Sequence, residues 1–95
     1  MNSLGSEIRR LREKKGLLLR QIASFLEVDT AIMSKLERGD RNFQREHVIK
    51  LSEFLDANAD SLLVLWLADK IDTAITDDPL AIKALNLVIE KRTKK

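Results

Sequence analysis

The 95-residue chain has no cysteine, no tyrosine, one proline, one histidine and three glycines. Without cysteine there is no disulfide, and a lone histidine leaves nothing from which to build a Cys/His metal cluster, so neither a metal nor a cofactor is expected. Aromatic residues make up 4% of the chain, too few for a platform on which single-stranded bases would stack. No apolar run approaches the ~20 residues that span a bilayer. The start MNSLGSEIRR also lacks the apolar core of a signal peptide, so the expected location is the cytoplasm. Neither sign of charge dominates: 17 Lys and Arg stand against 15 Asp and Glu, a balance that permits a nucleic-acid partner without arguing for one. No nucleophile, oxyanion donor set or paired acid and base stands out. Asp77 and Asp78 read as helix-capping residues, and His47 has no second ligand near it, so no enzyme is expected.

What the sequence does contain is helical periodicity from end to end, with no period-two alternation and no internal repeat. At this length one core is expected. Leu4, Ile8 and Leu11 recur at helical spacing behind Ser3 or Ser6 as cap, and KKG at 14–16 closes that helix with cations and a glycine. A short second helix, from about Leu18 to Leu26, turns Ile22, Ala23 and Leu26 inward. Asp29 caps a third, whose apolar side is Ile32, Met33 and Leu36 and which Gly39 ends. Val48, Leu51, Phe54 and Leu55 give a fourth helix over about 44–55. Beyond Asp56 a nearly continuous apolar helix includes Leu62 to Leu67. A last helix is expected to begin with Asp78 as cap and Pro79 in the first turn, ahead of a basic tail from Lys91 to Lys95.

Two short helices joined by a three-residue turn have the organisation of a helix-turn-helix reader. The third helix then needs one face held rigidly and the other free of bulky apolar groups. Thr30, Ala31, Ser34 and Lys35 meet that need, since a helix entering the roughly 12 Å wide major groove presents such positions to base edges. Threonine can hydrogen-bond a base edge, an alanine methyl can sit against a thymine methyl, and lysine can donate to guanine. Arg38, Arg41 and Asn42, around the terminating glycine, are placed to turn towards phosphates. The same pattern also fits a merely solvated helix face with arginines complementing the helix dipole.

The segment from Ile8 to Leu55 resembles the Xre group of bacterial regulators, the helix-turn-helix class of phage repressors and Cro. The likeness rests on LREKKGL at 11–17, the pair Ile22 and Ala23, Val28 in the turn, MSKLERG at 33–39 and LSEFL at 51–55. It implies an all-α, five-helix repressor-like domain with an additional C-terminal helix, binding double-stranded DNA as a dimer on a near-palindromic site, as a repressor or autoregulator. It also implies base reading by Thr30, Ala31, Ser34 and Lys35, phosphate contacts by Arg38 and Asn42, and an ion pair between Arg12 and Glu37 joining the first and third helices. Four positions, in three places, depart from the family pattern. Leu18 and Leu19 replace the usual cap and polar brace, which leaves Arg20 to take over part of the phosphate contact. Glu27 stands where a glycine usually makes the left-handed turn, and Phe43 replaces a frequent proline.

The expected division of the chain is a DNA-binding domain over 1–71 and a helical extension over 72–95 that holds two copies together. In SLLVLWLADKI, Leu63, Trp66 and Leu67 can face outward as dimer contacts while Leu62, Leu65 and Ile71 pack inward, although a run this continuously apolar leaves the facing open. Leu85 and Ile89 contribute from the last helix, and the alternative is that Trp66 and the Leu80 to Ile89 helix close the core of a monomer. A competing reading makes the helix-turn-helix a scaffold and the segment from Leu62 to Ile89 the binding surface for another protein.

Overall fold

The computed structural model describes residues 2–94, and these form six helices and no strand: α1 (Ser3–Lys14), α2 (Leu19–Leu26), α3 (Thr30–Arg38), α4 (Arg45–Phe54), α5 (Ala59–Ile75) and α6 (Ala81–Thr93). Lys95, the end of the basic tail, lies outside the described residues. The first four helices stop in the same way. A residue at positive φ follows each (Gly16, Glu27, Gly39 and Asp56), and the next amide donates five residues back: Leu17 to Arg12, Val28 to Ala23, Asp40 to Lys35 and Ala57 to Ser52, at 2.8–3.0 Å. Glu27, at φ 59°, makes its left-handed turn without glycine, at a cost of order 1 kcal/mol.

The core is apolar and continuous. Ile8, Ile22, Met33, Val48 and Leu51 are completely enclosed, and Leu4, Leu26, Leu36, Leu55 and Leu62 complete it. Phe43 closes the core beneath the loop between α3 and α4. Phe25 and Phe54 stack at its edge with ring centroids 4.1 Å apart. α5 packs along both α1 and α4, which makes it the strut of the domain.

Several details differ from the sequence expectation. Neither Ser3 nor Ser6 caps α1: Ser3 is its first residue, and the carboxylate of Asp69 on α5 accepts the amides of Ser3 and Leu4, each at 2.9 Å. α6 begins at Ala81, because Asp78 and Pro79 form a separate turn in which Asp78 accepts the amides of Leu80 and Ala81. On α5 the assignment of faces is corrected. Trp66 and Leu63 pack against the core and Ile71 is exposed, because the indole Nε1 donates to the Phe43 carbonyl at 2.7 Å and fixes the rotation of the helix. α5 also runs unbroken through residue 71, so the expected domain border falls within a helix. No helix is long and apolar enough to cross a membrane.

α6 has no buried residue. Leu80, Ile82, Leu87, Val88 and Ile89 are each at least half exposed, and on α5 Val64, Leu67 and Ile71 also face outward. The radius of gyration, 15.3 Å, exceeds the roughly 12 Å of a compact domain this long.

Candidate nucleic-acid interface

α2 and α3 meet through Ile22, Ala23 and Leu26 on one side and Met33 and Leu36 on the other, all buried. The turn between them is set by left-handed Glu27 and by Asp29, whose carboxylate accepts the Ile32 amide at 2.8 Å and caps α3. The head of α2 lacks a hydroxyl cap. Gln21 supplies one half of a capping box instead, its Oε1 accepting the Leu18 amide at 2.7 Å. Leu18 remains half exposed, while Leu19 packs on the core.

With its apolar side consumed, α3 turns the other side to solvent. Thr30, Ala31 and Lys35 are exposed and Ser34 is half-buried. Their spacing keeps all four on one face of the helix. The face is held from behind by Arg12, whose Nε and Nη2 donate to the two Glu37 carboxylate oxygens at 2.8 and 3.2 Å, while its Nη1 donates to the Leu17 carbonyl at 2.9 Å. The side chains of this pair are 13% and 6% exposed. The Glu37 hydrogen bonds raise the already high pKa of Arg12 against the opposing effect of burial, so the guanidinium stays charged. The end of α3 is fastened a second time by Asn2, whose Nδ2 donates to the Glu37 carbonyl at 2.8 Å.

Cations flank the open face. Arg38 donates to Ser34 Oγ and to Asp40, both at 3.2 Å; this surface pair is weak enough to open for a stronger anion. Arg41 and Arg20 are exposed and make no ion pair among the described residues, and Asn42 is exposed beside Arg41. A hollow between α1 and α3, bordered by Ser6, Arg9, Ser34 and Arg38, adds Arg9 to the cationic surroundings. His47 is half-buried, and its Nδ1 has no hydrogen-bond partner among the described residues. No group of three or more candidate metal ligands occurs among the described residues.

Sequence reasoning missed Asp69, which ties α5 to the start of α1, and Asn2, which ties the N-terminus to the end of α3. The partners of Asp69 lie 65 and 66 residues away, and neither caps nor periodicity signals a bond of that range. Arg9 was missed because its partner on the same helix, Glu13, is 3.3 Å away and gives it the pattern of a solvated i, i+4 pair.

A helix-turn-helix domain profile matches residues 3–65, the stretch that carries α1 to α4 and the first part of α5. The chain therefore belongs to the helix-turn-helix domain family. Among solved structures it is similar to the clp gene regulator ClgR from Corynebacterium glutamicum, with 26% identity and a TM-score of 0.61 over 99% of this chain and 94% of that one. No curated protein matches the chain.

Proposed function

We propose that the protein is a sequence-specific double-stranded DNA-binding transcriptional regulator of the Xre type, a repressor or autoregulator that acts as a homodimer on a near-palindromic operator. The observation that carries this reading is the short, polar, exposed face of α3, backed by a closed core and a buried ion pair. Thr30, Ala31, Ser34 and Lys35 read base edges, and Arg20, Arg38, Arg41 and Asn42 hold phosphates on either side. The family match and the gene regulator among the similar structures support the same reading.

A second copy is the natural occupant of α6 and the outer face of α5. One module with four reading positions covers few bases, whereas two copies whose recognition helices stand about 34 Å apart cover two half-sites. Leu67, Leu85 and Ile89 keep their place in this interface. Leu63 and Trp66 leave it, and Val64 and Ile71, both exposed, take their place. The alternative, a scaffold that binds a different protein through this surface, draws on the same exposed leucines and isoleucines.

Selection of bound duplexes from a random pool, followed by titration at several salt concentrations, separates the two. A DNA reader enriches one sequence, and its log K falls steeply and linearly with log salt. A chain that enriches no duplex and shows no salt dependence is a scaffold.

A further inference from the structure

A cavity of about 180 Å³ lies behind the recognition helix, between the start of α1, the end of α3, the loop to α4, and α5. It is larger than the roughly 150 Å³ apolar cavity known to admit a benzene ring. Leu36, Phe43 and Trp66 supply an apolar wall, and Arg41 and Lys70 also line it. The carboxylate lining it, Asp69, is already engaged by two backbone amides of α1. Arg41 and Lys70 make no ion pair among the described residues; Lys70 lies 4.6 Å over the Trp66 ring, a contact that leaves its ammonium free to accept an anion. The lining thus offers a ring-sized space, open to solvent, with an apolar wall, polar groups from Asn2, Asn42 and Thr73, and two available cations.

We propose that this cavity is an effector site for a small monocarboxylate with a ring-sized apolar body, and that its occupation weakens DNA binding. The regulatory half rests on the DNA-binding reading above; the binding half does not. The connection is short. Arg41 lies on the cavity and in the loop assigned to phosphates, and Leu36 and Gly39, at the end of α3, line the same space. A carboxylate held by Lys70 and Arg41 competes with DNA phosphate for Arg41. By linkage, DNA lowers the affinity for the carboxylate by the same factor.

Trp66 is the sole tryptophan, so its fluorescence reports on the cavity directly. Benzoate serves as probe and benzamide as its neutral counterpart, titrated into the full chain at ionic strength matched with chloride. The expected result is a saturable change with benzoate at millimolar concentration or below, and at least about tenfold weaker binding of benzamide and of benzoate to Lys70→Gln. In a second arm, saturating benzoate should weaken duplex binding by wild type at least about fivefold, within the usual range of allosteric coupling. Lys70→Gln should bind the duplex like wild type and lose this response. A linear, unsaturable quench, or equal binding of benzoate and benzamide, overturns the carboxylate site. A saturable site with unchanged duplex affinity overturns the regulatory role. A chain that binds no duplex even without benzoate defeats the DNA-binding reading, and the fluorescence arm then decides the cavity on its own.

Discussion

Glu37 holds a carboxylate where 7% of its residue surface reaches water, and this is tolerable only because Arg12 meets both oxygens. Glu37→Gln leaves the guanidinium enclosed with one good acceptor fewer, and should lower stability by about 2–4 kcal/mol. Urea titration measures this, and a loss below ~0.5 kcal/mol would mean that water screens the pair. The proposed roles of Lys35 in base reading and of Arg38 in phosphate holding predict different outcomes. Lys35→Ala should cost about 1–3 kcal/mol of discrimination between the operator and a point-mutated site. Arg38→Ala should weaken all duplexes about equally and reduce the salt slope by roughly 1. Isotherms on two duplexes at three salt concentrations decide the assignment, and identical behaviour of the two variants refutes it.

The ends of the elements show what could be read from sequence. Asp29 and Gly39 act within a turn of their own positions, and such local chemistry is visible in the residues themselves. The same rule misplaces the start of α6, because Asp78 and Pro79 have the composition of a cap but form a turn one step earlier. The facing of α5 was illegible for a different reason. From Leu62 to Leu67 every residue is apolar, so no 3.6-residue period exists to read, and the choice falls to the bond from Trp66 to the Phe43 carbonyl. Among the site residues, the polar face of α3 was legible because its spacing is local, whereas Asn2 and Asp69 act across the fold. The Asp69 cap carries its own prediction. Asp69→Ala removes the acceptor of two α1 amides and should cost about 1–2 kcal/mol. Hydrogen exchange should show the loss of protection at Ser3 and Leu4 first, and unchanged protection there would mean that water satisfies those amides equally well.

At the scale of the molecule, the outward apolar side chains of α5 and α6 enlarge the particle without enlarging its core. If they join two copies, the double variant Leu67→Asp and Ile89→Asp should halve the mass seen by sedimentation while helicity persists. It should weaken binding to a two-half-site operator far more than to one half-site. A wild-type chain that stays monomeric at roughly 100 μM, free and on DNA, would refute the dimer. The unbroken course of α5 has a further, geometric consequence. Its 17 residues make a shaft about 26 Å long, and each residue added to such a shaft turns whatever follows by about 100°. One alanine inserted after Asp72 should therefore swing α6 out of phase with Val64, Leu67 and Ile71 and raise the dimer dissociation constant sharply. Four alanines restore the angle to within about 40° while lengthening the shaft by about 6 Å, and should raise it less. In the proposed dimer the geometry of the pair would be a matter of rotational phase, set by counting residues along one helix.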